Sequence, residues 1–283
     1  MKEGGYKEFR RNGWEGLLAP EHEKDLVKLF SADKFPSAGF EGLVEEFHSN
    51  VGRTFRVYLC RESASPDFYA KSFEVEGILQ VLKSVFVLSA AARSWKAARV
   101  LSESGIAVPR PVAFAERKKL GRRAESVIIS EAVAGSEGMN LQNYFIKHFD
   151  QKPLSRERLR EKRLILQKLA ELYSLAHSQD TIYLPDFHPH NMLWQKRGEG
   201  DYSLYLVDFD EVNFRVRKND RLKNLASLCR NADKIVKKMD HNVITTGDRL
   251  RFLRHYLEDL GEKEGTADLE ELWKKVLDNL YLR

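Results

Sequence analysis

Apolar and polar side chains alternate through much of the first third of the chain. "FRVYLC" (55–60) and "DFYAKSF" (67–73) set every second residue on one side, the period of a half-buried strand, and "RESASP" between them reads as a turn. "LSAAARSWKAARVLSESG" predicts an Ala-rich helix stopped at Gly105, with Pro109 and Pro111 just beyond. "PVAFAE" and "SVIISEAV" form a second strand pair around a basic turn. After Gly135 the period becomes helical. "LSRERLREKRLILQKLAELYSLAHS" offers Ser155 as N-cap, then Leu159, Leu166, Leu169, Leu172 and Ala176 at helical spacing. A hairpin follows, "NMLWQ" and "DYSLYLVDF" around the turn "KRGEG", and the chain returns to helix through "RLRFLRHYLEDLG" and "LEELWKKVLDNLYL". No fixed-period repeat interrupts this order. The expectation is an α+β fold of two lobes, a sheet with one helix over 1–134 and a helical part carrying a hairpin over 135–283, joined near 131–138. A cleft between two lobes is a common place for a ligand.

Composition fits that outline. The 283 residues, 42% hydrophobic and 31% charged, describe a soluble globular chain with ample core. Cys60 and Cys229 are too few for a disulfide framework, so a reducing compartment is expected. The opening "MKEGGYKEFRRNGW" is polar where a signal peptide would be apolar. The longest apolar stretch, "VFVLSAAA" (85–92), is far short of the roughly 20 residues that span a bilayer. A cytoplasmic protein is expected, peripheral on a membrane at most. The formal charge of +5 is uneven: "RKKLGRR" (117–123) carries five cations and no acid, and "RVRKNDRLK" (215–223) carries five against Asp220. Such patches attract phosphates or anionic headgroups, although the first also reads as a solvated loop.

Chemistry concentrates in "LPDFHPHNMLW" (184–194). A zinc site needs three or four ligands at recognisable spacing, and His188 with His190 has no second cluster to join. Asp186 and Asn191 are separated by four residues, the spacing of the Asp and Asn in a kinase catalytic loop. The Asp must take or orient the proton of an attacking hydroxyl while the Asn faces the metal on the phosphates. Alone that spacing is a weak signal. Seventeen residues past Asn191, however, Asp208 ends a strand in "YLVDFDEV" that can pair with "NMLW", where a carboxylate can share a magnesium ion with the Asn. Upstream, Lys71 lies within the strand "FYAKSF". A strand Lys, a helix, a connector, Asp-x4-Asn and a strand-end Asp stand in the order a kinase requires.

This set resembles the lipopolysaccharide core kinases, the Kdo and heptose kinases of Gram-negative bacteria, within the protein-kinase-like fold. The resemblance covers most of the chain, through "FYAKSF", "SWKAARVLSESGIAVPRPVAF", "SVIISEAV", "LAHSQDTIYLPDFHPHNMLW", "YLVDFDEV" and "RLKNLASLCRN". It implies a small antiparallel-sheet N-lobe, a larger helical C-lobe, ATP, Mg2+, and γ-phosphoryl transfer to a sugar hydroxyl of a membrane glycolipid. Carried over by residue, Asp186 is the base, Asn191 and Asp208 hold magnesium, Lys71 meets the ATP phosphates, and backbone groups of Glu131 and Val133 hold the adenine. "HSNVGRTF" (48–55), with only Gly52, is the candidate phosphate-covering turn, and His177 braces the catalytic loop. Arg215, Arg217 and Lys218, following "DFDEV", are placed for an anionic glycolipid or sugar acceptor at the inner-leaflet surface.

Two departures stand out. Ser94 occupies the helix position before Trp95 where the family carries the Glu that pairs the strand lysine, which leaves Lys71 either to an acid such as Glu74 or Glu76 or poorly positioned. Leu184 replaces the His that braces the loop in many kinases, and packing or His188 must do that work. Three rivals stay open: a small-molecule kinase of aminoglycoside or choline type, a protein kinase, and a nucleotide-binding module with weak catalysis. No recognised motif or aromatic-basic interleaving supports nucleic acid as partner.

Overall fold

The computed structural model describes residues 5–31, 35–37, 40–47, 52–60, 63, 66–75, 87–119, 122–134, 139–150, 153–178, 183–198, 201–217, 219–239, 243–261 and 266–281. It divides into two units, Met1–Val100 with Pro109–Ala132, and Leu101–Val108 with Val133–Arg283.

The first unit is built on seven antiparallel strands: β1 (Lys7–Arg11), β2 (Trp14–Leu18), β3 (Leu43–Phe47), β4 (Arg53–Tyr58), β5 (Phe68–Glu74), β6 (Pro111–Lys119) and β7 (Arg122–Glu131), in the order β1-β2-β6-β7-β5-β4-β3. Strand alternation separates the two faces. Phe55, Val57, Phe68, Ala70, Val127 and Ile129 pack one face against Leu26, Leu29, Phe30 and Phe35. Leu26 ends the short helical turn Glu23–Leu26, and Leu29 and Phe30 lie in the next one, Val27–Phe30, both preceded by the turn Pro20–His22. On the other face Phe73 and Ile128 meet Ala91 and Trp95 of helix α1 (Ala90–Glu103). That helix ends as its sequence requires. Gly105 takes a φ of 81°, and the Ile106 N–H reaches back to the Leu101 carbonyl at 2.9 Å.

Gly52 precedes β4 with a φ of 73°, and a Cβ there would collide with the Ser72 carbonyl oxygen. The rest of the candidate phosphate-covering turn, 48–51, lies outside the described residues, as do Glu76 and Lys218.

The second unit contains α2 (Leu141–His148), α3 (Arg156–Ser178), the hairpin β8 (Met192–Lys196) with β9 (Tyr202–Leu206), α4 (Asp220–Lys237), α5 (Thr246–Asp259) and α6 (Thr266–Tyr281). Ser155 starts α3 as its sequence predicts, its hydroxyl accepting from the Arg158 N–H at 3.2 Å. The helices enclose an apolar hollow lined by Phe145, Leu166, Leu225, Cys229, Phe252 and Trp273. Inside this hydrocarbon the Cys229 thiol is pushed up to about 11 by burial, and it behaves as a small hydrophobe.

Candidate active site

Three backbone bonds shape the loop that carries Asp186. The His188 N–H donates to the Asp186 carbonyl at 3.0 Å, the Asn191 N–H to the His188 carbonyl at 2.9 Å, and the Val207 N–H to the Asn191 carbonyl at 2.9 Å. The last bond continues the β8–β9 ladder, where Met192 faces Leu206, and so sets Asp208 close beside Asn191. Asp208 has a φ of 59°, a left-handed conformation costing a non-glycine residue roughly 1–2 kcal/mol and turning the chain out of its strand direction. Asp186 and Asp208, both exposed, line one small hollow walled by Leu184, Pro185, Leu206 and Phe209. Glu211 lines it too, a third carboxylate to which the sequence attached no role.

Asn191 donates from its side-chain Nδ2 to the Asp186 carbonyl at 3.0 Å, which leaves its amide oxygen as the atom for a cation. Among the described residues no group of three or more His, Cys, Asp or Glu side chains gathers to hold a metal alone. Magnesium asks less: one or two carboxylates completed by phosphate oxygens and water. The carboxylate of Asp208 and the amide oxygen of Asn191 are donors of that hard type and fit it.

The two histidines of the loop have other uses. Burial lowers the His188 pKa, while the charges of Asp186 and Asp208 pull it the other way. Among the described residues its Nδ1 is buried without a hydrogen-bond partner, while its backbone N–H bonds the Asp186 carbonyl. His190 Nδ1 lies 3.2 Å from Asn140 Nδ2, and Asn140 caps α2 by accepting from the Asn143 N–H at 2.9 Å.

What holds the loop where Leu184 replaces a histidine is a set of contacts of which the sequence singled out only His177. Tyr183 and Asn213 exchange two backbone bonds, 2.8 and 2.9 Å. Tyr173 of α3 donates its hydroxyl to the Phe187 carbonyl at 2.5 Å and stacks on the Phe187 ring at 4.0 Å between centroids. One turn on, His177 bonds the Tyr256 hydroxyl through Nδ1 at 2.9 Å and Asn224 Nδ2 through Nε2 at 3.3 Å. Tyr173 and His177 are four apart, one helical face, which was the only available signal.

Burial, with the positive charge of Arg221 adding to it, pulls the His177 pKa down from 6.5 to about 3. The folded value lies below the unfolded one, so the neutral ring's contribution is whole above pH 6.5 and is lost as pH falls from 6.5 towards 3, by up to ~1.4 kcal/mol per unit. His177→Gln should flatten that part of the acid limb. Urea unfolding at pH 7 and pH 5 reads the effect, and an unchanged pH slope in the variant contradicts it.

In the first unit, Lys71 lies in the inner strand β5 between Thr54 of β4 and Ile128 of β7, its ammonium 5.4 Å from the centroid of the Phe73 ring. Alternation puts Lys71 on the face of β5 that carries Phe73, towards α1. Ser94 of α1 is buried, and Glu103 is exposed at its end. Glu74 falls on the opposite face and lies 3.7 Å from Arg53, so it is not the substitute acid. The Glu131 N–H is committed to the Arg110 carbonyl at 2.9 Å. Its carboxylate lies 3.2 Å from Arg110 and 3.5 Å from His22. Any purine contact from Glu131 therefore falls to its carbonyl.

In the basic segment, Asp220 is not a loose counter-charge. It is buried, accepts from the Arg217 N–H at 2.8 Å, and pairs with Lys223 at 2.9 Å. Arg215 and Arg217 remain exposed.

A sheet unit and a helical unit carrying an Asp-x4-Asn loop beside a strand-end Asp define a kinase-like α+β protein. The chain matches the Lipopolysaccharide kinase (Kdo/WaaP) family over residues 44–256, and it belongs to that family. As a member of a kinase family it is a phosphotransferase that uses ATP. No curated protein matches its sequence. Among solved structures it is similar to WaaP in complex with acyl carrier protein, at 23% identity over 85% of this chain and 90% of that one, with a TM-score of 0.56. Glucosamine kinase in complex with glucosamine, ADP and inorganic phosphate follows at 13% identity, 99% and 87% coverage and a TM-score of 0.47. Rio2 kinase from Chaetomium thermophilum stands at 14%, 97%, 82% and 0.44. The likeness to the first of these is one of fold. Among the described residues no helix is long and apolar enough to cross a membrane.

Proposed function

We propose that the protein transfers the γ-phosphoryl group of ATP to a hydroxyl of a Kdo or heptose sugar on a lipopolysaccharide core glycolipid. The observation that carries this reading is the shared hollow of Asp186 and Asp208, with Asn191 bonded into both sides of it. In this scheme Asp186 takes the proton of the sugar hydroxyl as its oxygen bonds the γ-phosphorus, and the β–γ bridging oxygen departs with ADP. Asn191 and Asp208 hold Mg2+, which when bound offsets the charge of the phosphate oxygens. Lys71 steadies the phosphates and the backbone of Glu131 and Val133 the adenine; residues 1–134 cover the nucleotide and 135–283 carry the chemistry. Loss of the helix Glu at Ser94 slows turnover without removing base or metal ligands, because positioning and charge carry most of phosphoryl transfer.

Purified protein with labelled ATP and Mg2+ is offered Kdo- and heptose-bearing lipid A precursors, and in parallel aminoglycosides, choline and peptides. Label on the glycolipids is expected; label on another class alone overturns the acceptor assignment.

The exposed Arg215 and Arg217 give that assignment a second handle. An acceptor bearing carboxylates and phosphates is drawn to them at the inner leaflet. Arg215→Ala and Arg217→Ala should each raise the acceptor KM by about fivefold and leave the ATP KM unchanged, since a cation near an anionic surface contributes ~1 kcal/mol. Equal rises in both constants count against the role.

A further inference from the structure

Charge reverses sign over the short stretch that follows β9. Asp208 and Glu211 line the hollow that also contains Asp186, while Arg215 and Arg217 stand exposed a few residues further on. The stretch is fastened along its length. Phe209 and Val212 are buried and form part of the wall of the hollow. Asn213 and Tyr183 exchange backbone bonds of 2.8 and 2.9 Å, which tie the chain just past Glu211 to the chain just before Asp186. Val216 faces a second hollow, shared with Tyr183, Leu184 and Asn224. The Arg217 N–H then donates to the buried Asp220 at 2.8 Å. With Val216 turned in, Arg215 and Arg217 are left on the outer side.

Phosphoryl transfer as proposed gives Glu211 no part. Asp186 serves as base, and Asp208 with Asn191 gives magnesium the protein donors it asks for beside phosphate and water. What Glu211 adds is an exposed carboxylate in the hollow that the acceptor hydroxyl has to reach, since that hydroxyl must come within hydrogen-bond distance of Asp186. A carboxylate accepts hydrogen bonds and donates none. It is matched to a second hydroxyl on the incoming sugar and opposed to a second carboxylate there. Arg215, at most ~14 Å further along an extended chain, offers anionic groups a place of their own away from the reacting end.

We propose that Glu211 determines which sugar is phosphorylated. Its carboxylate accepts from a hydroxyl neighbouring the reacting one, and it turns away a sugar whose own carboxylate would stand there. Of the two acceptors in the proposed function, a heptose presents only hydroxyls, whereas Kdo brings a carboxylate on the ring that enters the hollow. Heptose is the sugar selected, and the acidic groups of the rest of the glycolipid lie against Arg215 and Arg217. A cationic acceptor would suit Glu211 and then meet those two arginines with the wrong sign. The inference rests on the proposed function and deepens it by choosing between its two sugars.

The full chain is given labelled ATP, Mg2+ and two glycolipids, a lipid A precursor whose only core sugar is Kdo and one bearing both Kdo and heptose. Mass spectrometry of the products reads which sugar carries the phosphate. The parent should phosphorylate heptose, with a kcat/KM at least about tenfold above that on the Kdo-only acceptor, because like charges brought together are penalised. Glu211→Gln should lower kcat/KM on the heptose acceptor about tenfold, the scale of a hydrogen bond to a charged group, and leave the Kdo-only acceptor no worse. Glu211→Lys should move phosphate towards Kdo, since the repelling charge becomes an attracting one. The ATP KM, the Mg2+ concentration for half-maximal rate and the thermal midpoint should stay at their parent values, which damage to the fold or loss of a metal ligand would not allow. Phosphate on Kdo in the parent overturns the proposal, as does a Glu211→Gln variant that slows both acceptors equally or needs more Mg2+. Each of these results leaves a glycolipid kinase standing. Label on neither glycolipid removes the proposed function itself, and the selectivity with it.

Discussion

Asp186→Asn should lower kcat on the order of 10²- to 10⁴-fold, the contribution of a positioned general base, with little change in thermal midpoint. The two expectations separate because the residue does its structural and its chemical work through different atoms. Its carbonyl accepts the His188 N–H and the Asn191 side chain, each at 3.0 Å, and both bonds survive an amide at the side chain. The carboxylate is exposed in the hollow it shares with Asp208. Asn keeps the shape and cannot take a proton. Asp208→Asn supplies the contrast: it should raise the Mg2+ concentration needed for half-maximal rate, whereas Asp186→Asn leaves that concentration alone. A drop in kcat of less than threefold for Asp186→Asn, measured on labelled transfer, would remove the residue from the proposed base role.

Much of this arrangement was legible in the residues because the signals are local. Alternation fixed β4 and β5, Gly105 and Ser155 marked helix ends, and the pairing of "NMLW" with the strand before Asp208 is present as Met192 opposite Leu206. One local signal went unused. Asn12 and Gly13 both take positive φ, 49° and 80°, in the two-residue turn that joins β1 to β2, and Asn-Gly is a strong hairpin marker. β1 is an almost wholly exposed edge strand, so no apolar alternation marks that side of the sheet.

Other features had no local mark. The bracing of the Asp186 loop comes from residues distant in sequence, Tyr173 on Phe187 and Asn213 on Tyr183, while Asn224 and Tyr256 hold the His177 ring that the sequence did single out. Each is an ordinary polar or aromatic residue until the helices pack. Asp220 illustrates the converse error. Counted as the lone acid of a basic run, it is instead a buried acceptor for the Arg217 N–H. Charge counting cannot distinguish a solvated carboxylate from one fixed at the start of a helix.

Lys162→Met should cost the fold about 3–5 kcal/mol, the usual loss when one partner of a buried ion pair is removed. Lys162 of α3 and Asp248 of α5 are both buried, 2.8 Å apart, and Lys162 also donates to the Val243 carbonyl at 3.2 Å. Burial works to raise the Asp248 pKa, but the Lys162 bond, the Thr245 N–H and the Lys162 charge outweigh it and hold it below the ordinary carboxylate value. A depressed folded value means stability that is present above the unfolded pKa of 3.8 and is lost as pH falls through the folded one. Methionine leaves the carboxylate buried with only Thr245 and Arg251, the latter at 3.1 Å, so the deficit should be largest at neutral pH and shrink in acid. Adding Asp248→Asn removes the stranded charge and should recover part of the loss, since an apolar or neutral replacement of a whole buried pair is often close to neutral. Urea unfolding of the parent, the single and the double variant at pH 7 measures this. A double variant less stable than Lys162→Met would show that the Thr245 cap, rather than the ion pair, fastens α5 to α3.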